Sequence, residues 1–220
     1  MDLGGSGPLL VPGTTLIIGG GKRGILYPID RDAGGRYAFR QGHKVYSDAL
    51  ETIETHPVRC HDEQGHDHIQ GHHHIMAGPV YWESASAGPI VYVSAEKEQV
   101  KAYKVNLVQR TLQSFQQTNA PTSPHPGAIL SLSANGSRDG TGILWTVQQN
   151  RAPNDHKDPF ITPAPGIIRA YDAQNLSREL WDSGTTLGTF AKFTPLTVAN
   201  GKVYAPTFSG RLVVYGLRTP

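Results

Sequence analysis

The sequence predicts an all-β protein, a β-propeller of about four blades, because one β-rich unit recurs along it. The clearest copy, Phe193 to Leu217, reads FTPLTVANGKVYAPTFSGRLVVYGL: three short strands separated by turns at Asn200-Gly201 and Ser209-Gly210. Asn-Gly between two alternating β-branched runs is a strong hairpin signal, since both central positions of a type I′ turn need positive φ. Repetition of such a unit is typical of a β-propeller.

Three looser copies keep the same order of parts. They cover residues 6–30, residues 78–105, and a split copy made of 127–147 and 166–181. Strand runs such as PIVYVS and RLVVYG are almost continuously apolar, which suits sheets that are covered on both faces by neighbouring sheets. With 25 Gly and 16 Pro in 220 residues the chain is dense in turns, and no long window has helical periodicity. We therefore expect little helix.

Two stretches resemble the quinoprotein-type repeat, also called the PQQ-like β-propeller repeat. TPLTVANGKVYAPTFSGRLVVYGL has that repeat's entering proline, its G-x-V-Y hairpin and its third strand. GIIRAYDAQNLSRELWDS matches its last two parts, with the following residues at the matching positions: Gly166, Ala170, Tyr171, Asp172, Leu180 and Trp181. The resemblance implies a propeller fold and says little about chemistry, because one fold hosts many functions.

The ends of the chain predict an incomplete ring. The last copy stops after its third strand, and the segment before Gly7 is too short to supply a fourth strand. We expect residues 1–220 to form one partial propeller domain, whose open strand edges are covered by remaining blades or by a second copy. A closed ring of four blades is the alternative. The resemblance favours the partial ring, because this repeat normally occurs in larger rings.

Composition sets further bounds on the class of protein. The net charge is +2 with scattered lysines and arginines, which gives no reason to expect a nucleic-acid partner. No apolar run reaches the length of a membrane span, and the N-terminus lacks the pattern of a secretory signal. Cys60 is the only cysteine, so no internal disulfide forms. The resemblance implies a periplasmic or extracellular location, and a protein partner fits a scaffold of this kind.

Residues 42–77 form a His-rich insertion that contains eight of the ten histidines. Imidazole, thiolate and carboxylate groups are all ligands for Zn, Cu or Ni. We select four histidines as candidate metal ligands: His61, His66, His68 and His74. The alternative is a flexible His-rich loop that binds divalent ions weakly and without purpose, since GHHHI matches no fixed ligand spacing.

Two other segments vary between the copies. Residues 150–165 form a Pro-rich insertion that we expect to be an extended surface loop. Residues 106–125 are expected to supply an outer strand followed by a linker-like loop, and nothing in them suggests catalysis.

These observations favour a non-catalytic PQQ-like propeller that acts as a binding or assembly scaffold. The alternatives are a fragment of a quinoprotein oxidoreductase, with PQQ and Ca²⁺ as cofactors, and a metal-binding redox protein that uses the His-rich loop. The resemblance brings no catalytic base or Ca²⁺ ligand set that can be placed on this sequence, and one cysteine cannot form an adjacent-cysteine disulfide. Trp82 and Trp145 lie in predicted strands, where burial is expected. Trp181 falls at the repeat position that packs between blades.

Overall fold

The structure is a computed structural model of the chain. It describes residues 6–22, 24–32, 37–40, 43–46, 53–54, 60–61, 67–68, 73–153, 155 and 163–217. Between residues 37 and 68 only the pairing of the backbone strands is described.

Four antiparallel sheets contain most of the strands, and within the last three sheets the strands are adjacent in chain order. Sheet 1 consists of β1 (Leu9–Leu10), β2 (Leu16–Gly20), β3 (Ile25–Asp30) and, after an intervening hairpin, β6 (Ile53–Glu54). Two hairpins stand outside these sheets, β4 (Tyr37–Arg40) with β5 (His43–Tyr46) and β7 (Cys60–His61) with β8 (Asp67–His68). Sheet 2 consists of β9 (Val80–Ser84), β10 (Gly88–Val93), β11 (Gln99–Asn106) and β12 (Thr111–Pro121). Sheet 3 consists of β13 (Ile129–Ser133), β14 (Ile143–Gln149), β15 (Gly166–Asp172) and β16 (Asn175–Asp182). Sheet 4 consists of β17 (Thr197–Ala199), β18 (Lys202–Pro206) and β19 (Leu212–Gly216).

A layer of buried apolar side chains lies between each pair of successive sheets. On β10, Val91 and Val93 pack toward sheet 1 whereas Ile90 and Tyr92 pack toward sheet 3. The run PIVYV is continuously apolar for this reason: both faces of its sheet are covered, and side chains alternate between the faces. A third layer between sheets 3 and 4 includes Val203.

The first strands of the last three sheets are neighbours, because β13 contacts both β9 and β17. Outer strands meet as well, since β12 contacts β16. The all-β class and the succession of short antiparallel sheets are confirmed. The propeller arrangement itself stays a prediction.

The turns confirm the hairpin chemistry inferred from the sequence. Asn200 and Gly201 have φ values of 50° and 69°, and they connect β17 to β18 through the pair Ala199 and Lys202. Positive φ at both central positions is the condition for a type I′ turn. Gly210, with φ of 73°, occupies the second predicted turn of sheet 4.

Two of the segments that vary between the copies can be compared with the strand assignment. Residues 150–165 separate β14 from β15, and the predicted outer strand of sheet 2 is β12. The last sheet has three strands among the described residues, as expected from the sequence. Residues 42–77 do more than interrupt the repeat, because they contain β6, which completes sheet 1. Within the described ranges there is no helix, and so none long and apolar enough to cross a membrane.

Candidate functional site

Three chemically reactive side chains converge at one end of sheet 2. His74 precedes β9, Glu96 lies in the turn between β10 and β11, and His125 lies in the connection from β12 to β13. One ligand atom from each lies within 4.8 Å of the others. The Glu96 Oε1 atom is 2.6 Å from His125 Nδ1 and 3.4 Å from His74 Nδ1. We call these three residues the His–Glu–His triad.

The backbone brings the two outer members of the triad to Glu96. The Glu96 N–H donates to the carbonyl of His74 at 3.0 Å, which ties the entering segment to the β10–β11 turn. On the other side, the Thr122 hydroxyl donates to the Ala95 carbonyl at 2.6 Å. The Lys97 N–H donates to the Ser123 carbonyl at 3.2 Å. The turn is therefore held between two segments that are distant in the sequence.

Close packing fixes the loop that carries His125. Gly127 has φ of 77°, and a Cβ atom there would lie 3.1 Å from the Ala95 carbonyl oxygen, so a side chain would be strained and crowded. The His125 carbonyl accepts a hydrogen bond of 3.0 Å from the Gln149 side chain of sheet 3. The orientation of His125 thus depends on the contact between sheets 2 and 3.

A second charged group adjoins the triad. The His73 Nδ1 atom lies 3.0 Å from Glu98 Oε1 and 3.1 Å from the Glu96 carbonyl oxygen. Lys101 donates to the other Glu98 oxygen at 3.1 Å. Two carboxylates, three imidazoles and one ammonium group therefore lie close together, which keeps the buried charges paired.

Glu96 is held as a carboxylate although only 1% of its residue surface is exposed. Burial by itself raises the pKa of a carboxyl group, because the charged form loses water. The hydrogen bond from His125, the close approach of His74 and the positive charge of both imidazoles outweigh that effect and leave the pKa of Glu96 below its usual value. The site therefore presents a buried anionic oxygen to two imidazoles.

Of the four histidines predicted as metal ligands, only His74 belongs to the triad. His61 and His68 lie on β7 and β8, where backbone pairing sets His61 opposite Asp67 and Cys60 opposite His68. His66 lies outside the described residues. The prediction for the four together stays untested.

Sequence reasoning missed Glu96 and His125. His125 stands in SPHPG, a stretch interpreted as a linker, and Glu96 stands in SAEKE, which looks like a solvated turn. Only local composition could have pointed to these two residues. His125 lies between two prolines, and the turn that contains Glu96 has a second acidic residue. Neither pattern shows that the two segments meet.

A second feature is the exposed face of sheet 4, formed by Tyr204, Pro206, Leu212 and Val214. Leu212 and Val214 are 61% and 47% exposed. Register places Tyr204 opposite Val214 and Pro206 opposite Leu212, so the four side chains form one patch. The opposite face of the same sheet is buried against sheet 3. We call this patch the sheet 4 face.

The tryptophans have structural partners. Trp82 is buried, and its Nε1–H donates to the Gly136 carbonyl at 2.8 Å. Trp181 contacts Trp145 and Tyr215 edge to face, with ring centroids 6.4 and 5.3 Å away. Trp181 therefore packs between sheets 3 and 4, although it is 40% exposed.

Comparisons with known proteins find structures with a similar fold and identify no family. No protein-family model matches the chain, and no curated protein matches it. Among solved structures it is similar to a computationally designed protein, Ika8, with a TM-score of 0.52 and 15% identity over 96% of this chain and 45% of that chain. A second computationally designed protein, Ika4, has a TM-score of 0.46 and 14% identity over 99% of both chains. The likeness to Ika8 shows the fold alone, and this chain spans less than half of Ika8's length.

Proposed function

We propose that this chain is a non-catalytic β-propeller domain of the PQQ-like repeat type that acts as a binding and assembly scaffold. The observation that carries the proposal is the stacking of four antiparallel sheets in chain order, with an apolar layer between each successive pair. Neighbouring first strands support the blade arrangement, because the innermost strands of propeller blades surround a common axis.

The sheet 4 face is the binding surface of this scaffold. In sheet 2 a continuously apolar strand has both faces covered, whereas RLVVYG in sheet 4 has a similar pattern and only one covered face. A large exposed apolar patch on a soluble protein marks an interaction site. The partner should offer an apolar sheet of the same kind, since that is what covers the equivalent face of each earlier sheet.

We assign the partner as a second copy of this chain. The outer face of sheet 1 in that copy is also apolar. On it, Leu10 lies opposite Ile17, and Ile17 lies opposite Ile29. Leu10 is 46% exposed, and the two isoleucines are partly buried. Contact between sheet 4 of one copy and sheet 1 of the other, made twice around a two-fold axis, continues the stacking and closes it.

Molar mass in solution tests this assignment. Light scattering on the eluting protein should show a dimer, and Leu212→Glu should convert it to a monomer without changing the far-ultraviolet circular dichroism spectrum. Val108 is the matched control, because it is 91% exposed but lies on the β11–β12 turn, so Val108→Glu should leave the dimer intact. An unmutated chain that remains monomeric at high concentration overturns the second-copy assignment.

The alternative is a fragment of a quinoprotein oxidoreductase with PQQ and Ca²⁺. The structural partners of Trp82, Trp145 and Trp181 favour the scaffold, because each ring is engaged in packing or hydrogen bonding between sheets or turns. Dye-reduction assays with added PQQ, Ca²⁺ and a range of alcohols and sugars should give no turnover. Turnover above the protein-free control would reject the non-catalytic function. We propose a periplasmic or extracellular location as well, because the resemblance implies one.

A further inference from the structure

We infer that the His–Glu–His triad is a binding site for a divalent transition-metal ion of the Zn²⁺ type. The inference is independent of the scaffold function. It places a metal ion between His74, Glu96 and His125. Of these three ligands, only His74 belongs to the His-rich insertion. Two imidazoles and one carboxylate form a donor set that zinc sites use, and three protein ligands leave a coordination position for water or a substrate.

The distances between the ligand atoms fit tetrahedral zinc after a small adjustment of one imidazole. Tetrahedral zinc with bonds near 2.1 Å separates neighbouring ligand atoms by about 3.4 Å. His74 Nδ1 already lies 3.4 Å from Glu96 Oε1. His125 Nδ1, at 2.6 Å, must move away by a fraction of an ångström and release the proton that it shares with the carboxylate. Rotation of an imidazole about its side-chain torsions is sufficient for a shift of this size.

The site is organised before any ion arrives. Main-chain hydrogen bonds and the Thr122 hydroxyl join the Glu96 turn to His74 and to the segment preceding His125. Glu96 is buried, and its carboxylate already faces both imidazoles. The Gln149 side chain holds the backbone of His125 from sheet 3. Such outer contacts orient ligands and strengthen metal binding.

The charged groups beside the triad lie in three neighbouring segments. His73 precedes β9, and Glu98 and Lys101 belong to the turn and to the start of β11. Glu98 adds negative charge near the ion, and Lys101 partly offsets it. His73 adjoins the triad without belonging to it, because it contacts Glu98 and the carbonyl of Glu96 rather than the Glu96 carboxylate. His73 is therefore the strictest control.

The competing explanation is a purely structural ion pair between Glu96 and its two histidines. Histidines of the insertion would also bind metal ions and obscure the result. The experiment therefore starts from a background variant in which the histidines of the insertion other than His73 and His74 are replaced by Asn: His43, His56, His61, His66, His68 and His72.

The measurement is zinc content after dialysis, with affinity determined by competition with a chromophoric chelator. The background variant should retain about one Zn²⁺ per chain with a micromolar or tighter dissociation constant. His125→Ala and Glu96→Gln should each weaken binding by about 100-fold or more, whereas His73→Ala should change it by less than about threefold. Equal losses in all three variants, or no zinc bound in the background variant, overturn the assignment.

A second measurement covers the case in which the ligand variants do not fold. X-ray absorption on the folded background variant loaded with zinc counts the imidazoles around the ion. A zinc ion coordinated by two imidazoles and by oxygen atoms supports the triad as the binding site. A zinc environment without imidazole, or with three or more imidazoles, rejects it. Zinc binding does not depend on dimer formation, so failure here is distinguishable from failure of the scaffold proposal.

Discussion

The contact between Gly20 and Ile75 provides a sharp test of how sheet 1 packs beside the triad. Ile75 is fully buried and follows His74 directly. A Cβ atom added at Gly20 would lie 2.7 Å from Ile75 Cδ1, 2.8 Å from its Cγ2 and 2.9 Å from its Cβ. Normal contacts between carbon atoms are near 3.5–4.0 Å, so Gly20→Ala forces Ile75 to move by roughly 1 Å.

The size of the effect follows from that displacement. Overpacking of a well-filled core costs about 1–3 kcal/mol of unfolding free energy, and we expect Gly20→Ala to lie within this range. Ile75→Val alone should cost about 1 kcal/mol, because it removes one buried methyl group. That same group is the Cδ1 atom that makes the shortest contact with the new Cβ. The double variant should therefore be more stable than the sum of the single effects predicts, by about 0.5 kcal/mol or more.

Urea denaturation followed by tryptophan fluorescence and by circular dichroism measures all four members of this cycle. A double variant that is more stable than the sum of the single effects predicts, with unchanged denaturant dependence, confirms the contact. If Gly20→Ala costs nothing, or if the two substitutions are simply additive, then sheet 1 does not pack on Ile75 as described. Because Ile75 adjoins His74, Gly20→Ala should also weaken zinc binding. Gly7→Ala should not, since a Cβ atom added at Gly7 would have no other atom within 4 Å.

Three further predictions concern single interactions, each measured by urea denaturation. The pKa of Glu96 is lowered in the folded protein, so its ionised form stabilises the fold above the usual carboxyl pKa of about 4.3 and loses that effect as the pH falls through the lower folded value. Glu96→Gln should therefore be less stable than the unmutated chain at pH values above the usual carboxyl pKa, and the difference in unfolding free energy should narrow as the pH falls below it; a difference that widens below that pKa contradicts the lowered pKa of Glu96. Tyr92→Phe removes the 2.8 Å bond from the buried hydroxyl to the Ala173 carbonyl and should cost about 1 kcal/mol, since that carbonyl also accepts from a glutamine amide; an unchanged midpoint would argue against the bond. Gly201→Ala should cost about 1 kcal/mol through its φ of 69° alone, because no atom lies within 4 Å of the added Cβ, whereas Gly7→Ala, without positive φ or close contact, should have little effect; equal effects would contradict the turn assignment.

Local chemistry allowed the strands and turns to be predicted from the sequence. Asn200-Gly201 forms the expected turn because the conformation that it needs is a property of those two residues. The apolar run around Tyr92 indicates a strand covered on both faces, and it is covered on both faces. The sequence also placed the outer strand of sheet 2 and the break between β14 and β15.

The candidate metal site required the tertiary structure. Glu96 and His125 are 29 positions apart, and His74 comes from yet another segment. Histidine-rich composition directed attention to residues 42–77, because composition detects ligands that are close in the sequence and cannot detect ligands that come together in space. The convergence depends on hydrogen bonds between the β10–β11 turn and two connecting segments, which exist only when the sheets are formed.

Exposure of the sheet 4 face was likewise decided by tertiary structure. RLVVYG has the pattern of a strand covered on both sides, yet Leu212 and Val214 are exposed because no sheet follows sheet 4 in the described stack. A strand's alternation is encoded by its own side chains and by the turns beside it. Which of its faces is covered depends on what packs there, and that is a property of the assembled sheets rather than of any one segment.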